Sequence, residues 1–501
     1  MSERLNTPRD AGFDRRTLLG AAGLAGLAAI AGRSGAGPVA PPAGPVGPTG
    51  VKLDDLNAAA ARPAIDVRTL PSDDTGLPAD HVISQPGSYE LRADLIAKSR
   101  GIGIRIAASG VTINLNGFAI RGFSSRGISA GGDISAVAIV NGSFVDCATG
   151  IIANGPDLQG WAAEDLRFLN AAGSLGDGMR LSGSSIVRRC VFESIGDPVT
   201  VREGSLVESC VIRGSRRGII AGSGSVVRAC AVNASDDWGV DAGDESAIQD
   251  CAVTVCRSGI RAGEGSAVAR CVAAGSTFGA GIQLGDGSIA VESVAADNRS
   301  SGFGLGRGGV ARDCVARNNG GGFGLGDGGQ IGGCTAAGNA NAGLSVGASC
   351  LVRDCTADEN GDDGIRGGIN CIVRDCAARS NGRYGISLTE SGLVEGCTLN
   401  NNSSGGILVN NRSVVRGNVV DFHVSSAAAG ISASGDLNRI EDNTVLRSTF
   451  RFRSLGANNL FLRNSFDGPG SNAFQNVTPG STFTWSAAGS GATGPHVNFE
   501  M

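Results

Sequence analysis

Apolar residues along this chain recur in short pieces such as Cys371-Ile372-Val373 and Gly385-Ile386-Ser387-Leu388, punctuated by glycine and single polar residues. Pieces this short suit strands and leave no room for a helical 3.6-residue stripe. They also repeat. Aligning one cysteine with the next runs through Cys190, Cys210, Cys230, Cys251 and Cys271, then Ser293, then Cys314, Cys334, Cys355, Cys376 and Cys397, in steps of 20 to 22 residues. Asn418, Asn443 and Asn464 continue the series, and Leu166, Ser143 and Gly117 extend it backwards. A second ladder pairs Gly with an apolar residue, from Gly150-Ile151 to Gly430-Ile431, and a third places Asn298, Asn319, Asn339, Asn360, Asn381 and Asn402 five residues after the first. A strand period with no helical segment between repeats predicts coils that stack as parallel sheets, each burying its apolar side chains on its neighbours. About 17 coils at ~4.8 Å per rung predict a rod on the order of 80 Å long.

The opening of the repeat, Ile83-Ser84-Gln85-Pro86-Gly87-Ser88-Tyr89 followed by Val111-Thr112-Ile113-Asn114-Leu115-Asn116-Gly117-Phe118, resembles the first coil of the right-handed parallel β-helix family. That family includes pectate lyases, polygalacturonases and repeat proteins of copper-site maturation. The resemblance spans roughly residues 80–485 and implies an all-β, right-handed, single-stranded parallel β-helix. It names a fold and no reaction.

Composition adds where the chain acts. Residues 1–31 read as an export signal, with Arg15-Arg16 ahead of an apolar run from Leu18 to Ala31, similar to a bacterial twin-arginine signal. The run is short for a membrane span, so the mature protein is expected not to be transmembrane, and to be periplasmic, extracellular or on the cell surface. Residues 32–79 read as a Pro/Gly-rich linker and lead-in, 80–466 as the β-helix, and 467–501 as a tail covering the last coil. The formal net charge is −5 and no Lys/Arg run forms a nucleic-acid footprint, which sets nucleic acid aside as a partner.

The chain has 14 cysteines. Stacked in register they would sit ~4.8 Å apart, too far for a disulfide, so the ladder predicts buried thiols acting as small hydrophobes. Cys147 and Cys256 fall off that ladder and Cys350 with Cys371 forms a short second one; a single disulfide among these stays open. His81, His423 and His496 are too scattered to suggest a Cys/His metal centre.

Cleaving a polysaccharide requires either two carboxylates ~5–10 Å apart, or an acidic calcium cluster beside a base. Counting from the cysteine slot, stacking brings Asp197, Arg217 and Asp237 onto successive coils, with Arg216, Asp236 and Arg257 one position earlier. Asp236, Asp237, Arg216 and Arg217 are the candidate catalytic groups. Trp238, Asp197 and Arg257 are the candidate substrate contacts, and Asp237 with Asp241 is a candidate site for Ca2+. The same pattern also suits an ion-pair ladder that offsets like-charge stacking. A second acidic pair, Asp362-Asp363, superficially resembles that of polygalacturonases, but the partner motifs of that family are missing and Arg383 stacks beside Asp362. Three function classes follow: an exported carbohydrate-associated protein that binds a polysaccharide or envelope glycan, or acts on it as a lyase or hydrolase; a non-catalytic rod of the envelope; and metal-cofactor maturation, weakened by three His and three Met. The even steps from Cys190 to Cys397 predict smooth sides there, favouring binding or structure over cleavage.

Overall fold

The computed structural model describes residues 79–98, 101–155, 159–170, 176–423 and 428–467, with short pieces between 474 and 500. The export signal and linker lie outside the described residues. Every described repeat element is a β-strand, and strands pair in parallel from rung to rung. One face is a 19-stranded sheet running from Ala79–Ile83 to Phe474–Gln475. Two further ladders, typified by Ile186–Arg188 and Val191–Glu193, complete each coil.

Three corners join the three ladders, and each is built the same way: a residue with positive φ, then a side chain aimed inward. At the first, Arg189, Ser209, Ala229 and Asp250 take φ of 52 to 55° and are followed by Cys190, Cys210, Cys230 and Cys251. At the second, Ser194, Ala234, Val255 and Asn318 precede Ile195, Ser235, Cys256 and Asn319. At the third, Ser184, Ser349 and Asn370 precede Ser185, Cys350 and Cys371. Cys256, Cys350 and Cys371, off the main ladder in the sequence alignment, therefore occupy equivalent inward slots at the other two corners. All 14 cysteines are buried and unpaired. Burial pushes the Cys147 thiol up to about 11 and raises Cys256 as well, so these sulfurs stay protonated and apolar.

The stack corrects the backward extension of the ladder by one residue. Leu166 pairs with Gly142, and Ala119 pairs with Ser143, so the slot belongs to Gly142 and Phe118 instead of Ser143 and Gly117. A Cβ at Gly142 would approach Leu115 to 2.3 Å, which is why glycine stands there.

Inside, stacked side chains form continuous columns. Phe144, Phe168 and Phe192 stack at 4.8 Å between ring centroids, and Phe303 and Phe323 at 4.7 Å. At the second corner each asparagine from Asn298 to Asn381 gives one amide proton to a carbonyl inside the coil and the other to the next asparagine's Oδ1. His423 ends the column, its Nδ1 accepting the Asn402 backbone N–H at 3.1 Å. Ladders of this kind satisfy polar groups that the corners would otherwise bury unpaired.

The tail continues the repeat further than composition suggests. Thr482–Phe483 pairs on Leu460–Leu462, and Asn498–Glu500 pairs on Ser465–Phe466.

Candidate functional site

The charged block expected around Asp197 forms, with a different centre. Asp197 has a side chain 1% exposed and accepts hydrogen bonds from Arg216 Nη2 at 2.8 Å and Arg217 Nε at 3.0 Å. Burial alone would raise its carboxyl, but hydrogen bonds from Arg217 and Arg216 outweigh that and hold it below its ordinary value. Arg180 pairs with Asp177 at 2.7 Å and lies 3.9 Å from Asp197. Asp237 lies close enough to raise Arg217 electrostatically but behind Asp197, the dominant cause. The carboxylates of Asp236 and Asp237 have no hydrogen-bond or ion-pair partner among the described residues, and Asp236 is exposed. The cluster thus pairs the candidate arginines with Asp197 and leaves the candidate acids beside it.

Trp238, Asp241 and Arg261 form one unit a coil further on. The Arg261 guanidinium lies 5.1 Å from the Trp238 ring centroid and donates to Asp241 Oδ1 at 2.7 Å. Asp241 is thereby committed to an arginine, and no group of three or more His, Cys, Asp or Glu close enough to hold a metal ion occurs among the described residues. The donor set at Asp237 and Asp241 does not fit a calcium ion, which takes six to eight oxygen ligands. Arg257 follows Asp236 by one rung in the same slot, and its guanidinium lies 5.0 Å from the ring centroid of Phe278.

A concavity that charge patterning did not identify lies along the 19-stranded sheet. It has a volume of about 760 Å3 and is lined by Phe278, Arg299, Ser301, Gly324, Asn341 and Arg366, among others. Its floor follows from the outward column of that sheet: Asp241, Arg261, Gln283, Gly304, Gly324, Ser345 and Arg366 stand on successive rungs. Between Arg261 and Arg366 stand Gln283, two glycines and a serine, and the surface dips at the glycines, where side chains are missing. The second-corner loops form the wall. The loop from Ser276 to Gly281 is the long one, and it carries Phe278, 65% exposed, out into solvent. The wall falls away at Gly320-Gly321-Gly322 and rises again at Asp362-Asp363.

At that far end Arg366 donates to Asp363 Oδ2 at 3.0 Å and to Asp362 Oδ2 at 2.5 Å, while Arg383 reaches Asp362 Oδ1 at 3.2 Å. Burial works against ionisation of Asp362, yet the hydrogen bond and charge of Arg366 bring its carboxyl below the usual range. Asp362 is therefore not placed as a proton donor at neutral pH. Arg257 and Arg299 have no ion-pair partner among the described residues. A single sequence signal could have found this groove: glycine at outward strand positions, Gly304 and Gly324, beside Arg299, which has no acidic residue stacked next to it.

Residues 344–420 match a family model described as the right handed beta helix region. This chain is a parallel β-helix protein. No curated protein matches it. Among solved structures, this β-helix is similar to a double mutant of a periplasmic alginate epimerase at 14% identity and a TM-score of 0.37, over 62% of this chain and 82% of that one. It is also similar to the Dettilon tailspike protein at 12% identity and a TM-score of 0.33, over 63% of this chain and 62% of that one. The A-module of a mannuronan C-5 epimerase from Azotobacter vinelandii matches at 12% identity and a TM-score of 0.21, over 79% of this chain and 91% of that one. At these values the likeness concerns the solenoid architecture alone. No helix among the described residues is long and apolar enough to cross a membrane.

Proposed function

We propose that this β-helix is an exported glycan-binding protein that holds an extended carbohydrate chain in the groove along its 19-stranded sheet without cleaving it. The observation that carries the reading is the floor of Gly324 and Ser345 walled by polar donors and the exposed ring of Phe278. Sugar rings present apolar faces and rims of hydroxyls. An exposed aromatic supports the first, while Arg, Asn and Ser side chains hydrogen-bond the second. The ~4.8 Å rung spacing is close to one sugar along an extended chain, so successive rungs can meet successive sugars.

The groove carries one partly exposed carboxylate, Asp362, tied to two arginines. Hydrolysis by an acid–base pair requires a second, independent carboxylate across the scissile bond, and β-elimination requires a free base. Those requirements favour binding over catalysis here. Export rests on Arg15-Arg16 and the apolar run that follows them.

Gly324→Leu tests the reading. A Cβ at Gly324 would meet nothing closer than 3.7 Å, so the variant is expected to fold and melt like the parent. Filling the floor is expected to abolish retention on a panel of immobilised polysaccharides, with no reducing ends or unsaturated uronates released by either protein. Unchanged retention by Gly324→Leu would overturn the groove as the binding site, and released products would overturn binding without cleavage.

A further inference from the structure

Three charged side chains line the groove, and two of them are committed to ion pairs: Asp362 to Arg366 and Arg383, and Arg366 to Asp362 and Asp363. The third, Arg299, is exposed and has no ion-pair partner among the described residues. Its place in the stack explains why. Backbone hydrogen bonds put Asp236, Arg257, Thr277, Arg299 and Gly320 in one slot on successive rungs, the N–H of each donating to the preceding rung. Arg257 has an acid one rung away. Arg299 has a threonine on one side and a glycine on the other, so the stack offers it no counter-charge.

Phe278 stands on the rung between Arg257 and Arg299, its N–H donating to the Arg257 carbonyl at 3.0 Å. The Arg257 guanidinium lies 5.0 Å from its ring centroid, yet the residue is 65% exposed, so one face of the ring is supported and the other is open. Arg257 is thus a prop for the ring and lies outside the groove lining. Arg299 comes one rung after the ring, ~4.8 Å along the axis, which is about one sugar further along an extended chain. From Arg299 to Asp362 the wall runs three rungs, about 14 Å, through Gly320 and Asn341 without another charge.

We propose that the groove recognises a glycan bearing a single acidic group per bound segment, Phe278 stacking on one sugar and Arg299 taking the carboxylate or sulfate of the next, with neutral sugars in the rest of the groove. The proposal rests on the glycan-binding reading above and adds the number and position of the ligand's charges. Guanidinium suits both anions because its planar fork donates two hydrogen bonds to one oxyanion. A second anion further along would meet no free cation and would approach the Asp362 carboxylate, so a uniformly acidic chain gains nothing beyond its first charge.

Calorimetry on the full chain with four pentasaccharide probes tests it: neutral glucose oligomer, the same oligomer with one internal glucuronate, the same with one internal sulfate, and an all-uronate oligomer. At least one singly charged probe is expected to bind about tenfold more tightly than the neutral one, with that advantage shrinking as salt rises. Comparing the two singly charged probes separates carboxylate from sulfate as the group that is read. The all-uronate probe is expected to bind no more tightly than the better of them. Arg299→Gln is expected to remove the tenfold advantage and leave the neutral probe unaffected, whereas Arg257→Gln, which takes away only the prop of the ring, is expected to keep the ratio of charged to neutral affinity. Arg312→Gln, an exposed unpaired arginine on the strand Val310–Arg312 outside the 19-stranded sheet, is expected to change nothing. Survival of the advantage in Arg299→Gln, or its collapse in Arg257→Gln or Arg312→Gln, would overturn the assignment of the anion to Arg299. Tighter binding of the all-uronate probe would overturn the single charge. Equal affinity for neutral and singly charged probes would overturn the inference while leaving glycan binding standing, and failure to bind any probe would overturn both readings.

Discussion

Replacing Asn339 by alanine removes one rung of the buried amide ladder, and the structure fixes what that leaves behind. Asn339 Nδ2 donates to the Ala316 carbonyl at 3.1 Å and to Asn360 Oδ1 at 2.9 Å, and its Oδ1 accepts the Asn319 backbone N–H at 3.0 Å and Asn319 Nδ2 at 3.1 Å. Asn360 Oδ1 keeps one donor, the Asn339 backbone N–H at 3.2 Å. The Asn319 backbone N–H and one of its amide protons are left without an acceptor where water is excluded. At about 1–3 kcal/mol for each buried donor left unmade, two such groups predict a local destabilisation of about 2–6 kcal/mol. A solenoid need not unfold in one step, so the readout is local: native-state hydrogen exchange of the amides on the coils carrying Asn319, Asn339 and Asn360. The Asn319 N–H is expected to lose the most protection, and Asn339→Ser, which can offer one acceptor, is expected to fall between parent and alanine. A loss below about 1 kcal/mol, or unchanged protection at Asn319, would refute the view that the amide ladder holds the second corner together.

Three further outcomes are expected. Val255 is β-branched, 56% exposed and held at φ 55°, so Val255→Gly should stabilise its coil by about 1 kcal/mol, and a lower melting temperature would count against strain there. Asp197 has a folded-state carboxyl pKa below its unfolded value, so its contribution is present above about pH 4 and fades as pH falls through the folded value. Asp197→Asn should therefore lower stability at neutral pH and flatten its loss in acid; an unchanged pH profile would refute the assignment. None of the 14 thiols should react with a bulky maleimide until the protein is unfolded, and labelling of the native protein at Cys190 or Cys314 would contradict their burial.

The period of Cys, Gly-apolar and Asn positions was enough to give the solenoid, its parallel register and the buried thiols, because in a stacked coil the same slot sees the same environment on every rung. Leu166 was placed correctly by that logic, whereas Ser143 and Gly117 missed by one residue. Around Gly142 the second- and third-ladder strands merge into the single strand Val137–Val145, and the corner that fixes the count changes with them. The three corners were only half legible. Cys256 reads from the sequence as off the ladder and Cys350 with Cys371 as a short second ladder of no assigned bend, because the sequence gives no sign that an inward thiol can replace an inward serine or asparagine at a different bend.

The groove was harder to see, and the reason is general to stacked folds. Seeking the densest charge led to Asp197, Arg216, Arg217, Asp236 and Asp237, but side chains ~4.8 Å apart along a stack can neutralise each other, so dense alternating charge marks places where the fold has paired its ions. Arg216 and Arg217 converge on Asp197 in that way. A binding surface needs the opposite: charges the stack leaves unpaired, beside positions where side chains are absent. Arg299 follows the loop of Phe278 and precedes Gly320, and Gly304 and Gly324 clear the floor next to it. Both signals are absences, of an acid one rung away and of a side chain one strand away. They become visible only once the coils are stacked and each residue's neighbours along the axis are known.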